Sequence, residues 1–247
     1  TVYADWNARK QTIITANSNG GAISSTTGWN GTGNTATKTV LYEDSYGTLP
    51  SVSRLGYTFN GWTYLPEGYR QVEYLQSDGN QYIDTGTKFN SNSDRFELEY
   101  QANDANGNYF IAGSGWTENG KMWVYSYKAG SRFSTYITDT SGNQREFYGF
   151  AGPDANKHTV IYDAKRLYID GALTADNSAY TFGETPYNFS LFNAVNSSGY
   201  YAKTKIYALR MYRSGSLVRD MIPCVRESDN LAGMYDTVNG VFYTNSG

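Results

Sequence analysis

In the stretch KHTVIYDAKRLYIDGAL, residues 157–173, Val160 and Tyr162 and then Leu167 and Ile169 bracket a turn at Asp163 to Lys165. Apolar residues at every second position on both sides of a short polar break mark two strands joined as a hairpin. Upstream, Phe96, Leu98 and Tyr100 alternate with Glu97, Glu99 and Gln101, so one face of a strand is wet and the other can pack. In KMWVYSYK (121–128), Trp123, Tyr125 and Tyr127 share one face, and Met122 and Val124 share the other. Downstream, KIYALRMYRSGSLVRDMIPC (205–224) reads as a long strand, a turn at Ser214-Gly215 and a second strand. GMYDTVNGVFYTN (233–245) closes with a hairpin at Asn239-Gly240. Further turn dipeptides stand at Asp78-Gly79, Asn106-Gly107, Asn119-Gly120, Ser141-Gly142 and Asp170-Gly171, mostly between apolar or aromatic runs, which is the hairpin signal. Their spacing suits a sandwich or jelly roll, and the chain is expected to be all-β.

Composition agrees with that reading. Only 17% of the 247 residues are charged, while 26 are Gly and 24 are Tyr. Tyr fits a half-buried pleated face and Gly supplies positive φ in tight turns, so coiled coils and disordered tails are disfavoured. The balance of 20 Lys+Arg against 23 Asp+Glu leaves a net charge of −3 and no basic run, which makes nucleic acid a poor partner. No apolar run approaches the roughly 18 to 20 residues of a membrane span. Cys224, the only cysteine, cannot form an internal disulfide and is expected to be a small buried group. Pro66 and Gly68 break the strand pattern, which puts a boundary there: a small part over residues 1–63, then a sandwich over 64–247.

The segment YGTLPSVSRLGYTFNGW (Tyr46 to Trp62) resembles the Listeria–Bacteroides repeat of the internalin B type, through Tyr46, Gly47, Leu49, Pro50, Arg54, Gly56, Tyr57, Phe59, Gly61 and Trp62. Upstream, TIITANSNGG (12–21) resembles the opening strand and Gly-Gly turn of that repeat. The resemblance implies a small β-grasp-like module, used in arrays as stalks or adhesive spacers on bacterial surfaces and in some phage proteins. Family members end with a strand like T-x-Y-A-x-W after the Gly-Trp, whereas here TVYADW opens the chain. Thr1 to Trp6 is thus either the last strand of a preceding repeat or the permuted last strand of this one, and both imply further repeats upstream.

From residue 64 onward the chain resembles a laminin-G-like, concanavalin A-like domain. The resemblance rests on DGNQYIDTG (78–86), DRFELEYQA (94–102), the hairpin quoted first, with its Tyr162-Asp163 and Asp170-Gly171, and KIYALRMYRSGSLVRD (205–220). It implies two curved antiparallel sheets, with the first and last strands adjacent. Most such domains bind glycans or proteins, so the expected partner is a glycan or a host or matrix protein, and the expected setting an extracellular bacterial surface. A phage virion or tail-fibre component and a divergent glycoside hydrolase are the alternatives.

Glucanases of this fold need paired carboxylates about 5 Å apart for retention. Glu97 and Glu99 lack the intervening Asp and the third acid, and read as a solvated strand edge. His158 has neither a nucleophile nor an orienting acid in its surroundings in sequence, and reads as a structural strand-entry residue. One His and one Cys do not make a zinc site. No phosphate-cradling glycine motif is present. The chain is expected to be no enzyme and to need no cofactor. Calcium leaves little sequence signature, and Asp78, Asn80, Asp104 and Asn106 sit in turns where they could contribute oxygens or simply form the turns. Aromatic residues remain. Sugar rings lay their C–H faces on Trp or Tyr while their hydroxyls meet polar side chains, and Trp116, Trp123, Tyr125, Tyr127, Arg132 and Tyr136 cluster in sequence for that.

Overall fold

The computed structural model describes residues 11–18, 20–25, 28–31, 33–41, 44–59, 61–62, 65–102, 109–115, 121–127, 132–151, 155–194 and 199–247. The chain divides into two compact units, Thr1–Thr63 and Tyr64–Gly247. Every regular element among the described residues is a strand.

The first unit holds β1 (Gln11–Asn17), β2 (Ala22–Ser25), β3 (Thr35–Leu41) and β4 (Ser51–Ser53). β1 pairs antiparallel with β3, and β2 with β4. Ala16, Trp29 and Ala36 are buried, with Ile14, Ile23, Leu49 and Trp62 packed against them. The two indoles satisfy their N–H groups on the chain that passes them: Trp29 donates to the Thr48 carbonyl (2.9 Å) and Trp62 to the Pro50 carbonyl (3.2 Å). Tyr57 and Phe59 instead stay about half exposed, and the Arg54 guanidinium lies 3.9 Å from the Tyr57 ring centre.

The second unit begins with the short strands β5 (Tyr69–Gln71), β6 (Leu75–Gln76) and β7 (Ile83–Asp84), followed by β8 (Arg95–Ala102), β9 (Tyr109–Ser114), β10 (Met122–Tyr127), β11 (Arg132–Thr138) and β12 (Gln144–Ala151). It continues through β13 (Lys157–Asp163), β14 (Arg166–Ile169), β15 (Ala172–Asp176), β16 (Ser190–Leu191), β17 (Thr204–Arg213), β18 (Ser216–Arg226), β19 (Leu231–Asp236) and β20 (Val241–Tyr243). Two antiparallel sheets result. One runs β12-β11-β10-β9-β16-β7; the other runs β15-β14-β13-β8-β17-β18-β19-β20, with β6 added to β17 and β5 to β18.

Alternation explains the layers. On β8, Phe96, Leu98, Tyr100 and Ala102 are buried while Arg95, Glu97, Glu99 and Gln101 face outward. On β13 and β14, His158, Val160, Tyr162, Leu167 and Ile169 point the same way as the buried set of β8. Met122, Val124, Ile137 and Phe147 of the smaller sheet meet them across one continuous core. At its centre Phe96 stacks on Tyr162 at 6.0 Å, and Phe89 meets both rings edge-on. Such arrangements suit the aromatic quadrupole. The buried Tyr162 hydroxyl donates to the Ser91 carbonyl at 2.6 Å, so the core carries no orphan there.

The hairpins turn where the sequence places them. Ala164-Lys165, Asp170-Gly171 and Ser214-Gly215 all have positive φ at both central residues, the geometry whose twist matches that of paired strands. Ser141-Gly142 joins β11 to β12, and Asn239-Gly240 joins β19 to β20. The Asp78-Gly79 turn differs from the hairpin expectation. It leads from β6, in the larger sheet, to β7, in the smaller one, so it carries the chain between layers. Asn106-Gly107 and Asn119-Gly120 lie outside the described residues. The chain end closes one side of the sandwich: after β20, Ser246 donates its N–H to the Tyr82 carbonyl at 2.8 Å and its hydroxyl accepts from the Asp84 N–H.

Candidate functional site

The smaller sheet has a second face, turned away from the core, and the candidates Trp123 and Tyr136 fall on it. Strand pairing sets Trp123 opposite Tyr136, Tyr125 opposite Ser134, and Tyr127 opposite Arg132. The residue before β10, Lys121, accepts at its carbonyl the Thr138 N–H (3.1 Å), which extends the same row. Because Met122 and Val124 enter the core, Lys121 and Trp123 must face the other way.

What Trp123 meets there is a small aromatic cluster. Its ring centre lies 5.0 Å from that of Phe110 and 5.4 Å from that of Tyr136, and Phe110 lies 5.4 Å from Tyr200. Ala194 completes the cluster. The indole N–H donates to the Gly115 carbonyl, and the Lys121 ammonium stands 5.1 Å from the indole centre. Trp123 is only 7% exposed, so its ring is packed rather than open. Tyr136 and Tyr200 are half-buried and offer the accessible aromatic surface. The Tyr136 hydroxyl donates to Glu146 Oε2 at 2.8 Å, which sets a carboxylate beside the rings. Polar groups of both signs thus border an aromatic floor.

Backbone irregularities lie in the strands that carry this face and beside them, although the Phe192 ring itself packs in the core between the sheets. The β9–β10 ladder shifts register between Val124 and Tyr125, and such bulges re-aim side chains near sites. Gly113 allows the close approach: a Cβ there would run into the Met122 carbonyl oxygen and crowd Ala194. Phe192, next to this segment, holds φ at +67°, a strained value for a bulky residue. It is kept there by hydrogen bonds from its N–H to the Ile111 carbonyl and from the Ala202 N–H to its own carbonyl, both 2.7 Å. Backbone strain of this kind collects at functional sites.

Of the sequence candidates, the structure brings Trp123 and Tyr136 into contact and sets Tyr125, Tyr127 and Arg132 on the same pair of strands. The side chains of those last three, and Trp116 entirely, lie outside the described residues. Lys121, Phe110, Glu146, Ala194 and Tyr200 were not anticipated. The Phe110–Ala112 run carries no alternation signal because both faces of β9 are buried. Tyr200 arrives from a loop whose pairing with β9 no local pattern announces.

The other candidates resolve differently. Asp78 Oδ1 accepts the backbone N–H (3.1 Å) and the side-chain amide (3.2 Å) of Asn80, so both residues serve their own turn. Asp104 and Asn106 lie outside the described residues. No cluster of three or more His, Cys, Asp or Glu able to hold a metal occurs among the described residues. Glu97 and Glu99 lie on the wet side of β8, as the alternation places them, and β8 is a central strand of the larger sheet. Glu97 pairs with Arg95 (2.5 Å) and Arg210 (3.7 Å), and Glu99 with Lys157 (2.6 Å). His158 is buried, with Nδ1 2.8 Å from Asp170 Oδ2, while Asp170 Oδ1 accepts the Thr159 N–H; the pair ties the start of β13 to the β14–β15 turn. Cys224 is fully buried beside Ile222 and Tyr235, and burial pushes its thiol up to about 12.

Fold and face together define an all-β chain: a small strand-paired unit followed by an antiparallel sandwich of the jelly-roll, concanavalin A-like class, bearing an aromatic patch on its smaller sheet. Among solved structures, a presumed carbohydrate-binding protein from Bacteroides ovatus is 12% identical, with a TM-score of 0.50 over 98% of this chain and 69% of that one. The CBM40 of the Ruminococcus gnavus IT-sialidase is 16% identical, with a TM-score of 0.45 over 58% of this chain and 91% of that one, and has also been solved bound to α2,3-sialyllactose. At 12% identity the likeness to the Bacteroides ovatus protein is one of fold. No protein-family model matches the chain, and no curated protein does. No helix among the described residues is long and apolar enough to cross a membrane.

Proposed function

We propose that the sandwich is a non-catalytic glycan-binding module, and that the chain belongs to an extracellular adhesive protein of a bacterial surface, in which the first unit is a Listeria–Bacteroides-type repeat acting as a spacer. The observation that carries the glycan reading is the aromatic face of the smaller sheet, where half-buried Tyr136 and Tyr200 lie over a packed Trp123–Phe110 base, flanked by Lys121 and Glu146. Apolar ring faces for stacking, with a few polar groups at the border to fix orientation, are what a sugar requires. A host or matrix glycoprotein would be held through the same groups. The Bacteroides ovatus protein, with its presumed carbohydrate-binding role, lends the reading support of the weaker kind, since fold does not fix function.

The non-catalytic part of the proposal draws on the carboxylates. Glu97 and Glu99 are spent on ion pairs on an open sheet face, and His158 pairs with Asp170 in a contact that ties two strand ends together.

The test is a glycan array probed with the full chain, alongside Tyr136→Ala. We expect binding to a restricted set of glycans and its loss in the variant, with unfolding curves verifying that the variant is folded. Binding to no glycan would remove the proposal, and binding unchanged by Tyr136→Ala would remove this face.

A further inference from the structure

Three hydroxyls of β11 are buried with no hydrogen-bond partner: Ser134 Oγ, Thr135 Oγ1 and Thr138 Oγ1. Buried polar groups are almost always paired, so each unpaired one calls for an explanation. Pairing separates them. Thr135 stands opposite Val124 and Phe147, both core residues, and so faces the space between the sheets. Ser134 and Thr138 alternate with it and flank Tyr136 on the aromatic face, in the rows of Tyr125 and Lys121. Ser134 is 0% and Thr138 3% exposed.

We infer that Ser134 and Thr138 are the hydroxyls that hydrogen-bond the ligand of this face, and that the ligand is a linear oligosaccharide lying along β11 rather than a single terminal sugar. This rests on the glycan-binding reading above. The two residues are four positions apart on one strand, about 13 Å at the strand rise, a span that one sugar ring does not cover. Tyr136 lies midway between them, with Trp123 opposite, so the stacking surface occupies the centre and one polar anchor each end. A chain that seats on the rings and turns the covering side chains aside reaches both oxygens. Each hydroxyl there exchanges no prior protein partner for the new bond, and the bond forms away from bulk water, where it is stronger.

The experiment uses the full chain and matched series, monomer through pentamer, of β-1,4-linked glucose, xylose and N-acetylglucosamine, together with α2,3-sialyllactose, titrated by calorimetry. Ser134→Ala, Thr138→Val and, as a control, Thr135→Val are compared. Affinity is expected to rise with chain length in at least one series. Ser134→Ala and Thr138→Val should each weaken the longest oligomer by about five- to tenfold, the worth of one hydrogen bond, while their urea midpoints stay level or rise. Thr135→Val should bind like the parent. Equal affinity for monomer and pentamer, or sialyllactose alone as ligand, overturns the extended-chain inference and leaves the glycan reading standing. Length dependence with unchanged binding by both hydroxyl variants overturns the assignment of the two residues. Absence of binding to every probe here and on the array overturns both.

Discussion

Trp123 and Tyr136 stand directly opposite each other on β10 and β11, with ring centres 5.4 Å apart, yet only the second is accessible. The indole packs against both Phe110 and Tyr136 and is pinned by its N–H to Gly115, so it supports the surface, and the tyrosine presents it. The two should therefore respond differently to substitution. Trp123→Ala is expected to cost about 3 to 5 kcal/mol of folding stability, the usual range for emptying a buried aromatic site. Tyr136→Phe keeps the ring and loses the hydroxyl with its bond to Glu146, and should cost about 1 kcal/mol or less. Urea unfolding of both variants checks this; equal losses would mean that the two rings share one structural role.

Gly113→Ala tests the close approach of β9 to β10. The added methyl would meet the Met122 carbonyl oxygen and the Trp123 backbone, neither of which can move without breaking the ladder. A loss of about 1 to 3 kcal/mol is expected from such overpacking. Thermal unfolding reads it directly, and a variant as stable as the parent would show that the bulge has slack.

Cys224 should be chemically silent in the folded protein. Burial pushes the thiol up to about 12, whereas an unfolded thiol titrates near about 8.5. At pH 8 the native chain should react with a thiol reagent far more slowly than the chain in strong denaturant. Equal rates would contradict the packing of the Leu65, Tyr69 and Tyr235 cluster around it.

Asp176 offers a pH test. The Ser178 backbone N–H and the Arg166 guanidinium hold its carboxyl down at about 2, against about 3.9 in an unfolded chain. A depressed folded value stabilises above the unfolded pKa, and that contribution is lost as pH falls through about 2. Asp176→Asn should thus be slightly less stable than the parent at neutral pH, with the gap closing at strongly acidic pH. The pair is exposed, so high salt should shrink the gap at neutral pH as well.

Much of the fold was legible locally. Period-two alternation on β8, β13 and β14, with turn chemistry at Asp170-Gly171 and Ser214-Gly215, depends on neighbours in sequence, and these elements form where the pattern places them. Even the Ala164-Lys165 turn, which lacks the usual Gly or Asn, was marked by the apolar runs on either side. The same alternation divided Trp123 from Met122 and Val124. It could not say which set faced the core, because a strand buried on one face reads identically whichever sheet it joins.

The tertiary structure decided that. Long-range pairing of β9 with β10 and β16 brought Phe110 and Ala194 under the Trp123 ring, and a backbone hydrogen bond from Phe110 to the Tyr200 carbonyl carried a second tyrosine to the same face. It also left Ser134 and Thr138 on that face and sent Thr135 to the core. It turned the Asp78-Gly79 dipeptide from a hairpin into a passage between sheets. Local sequence determines that a residue lies on a strand and which neighbours share its side. What covers that side depends on segments remote along the chain, whose arrival is settled by burial of the whole core.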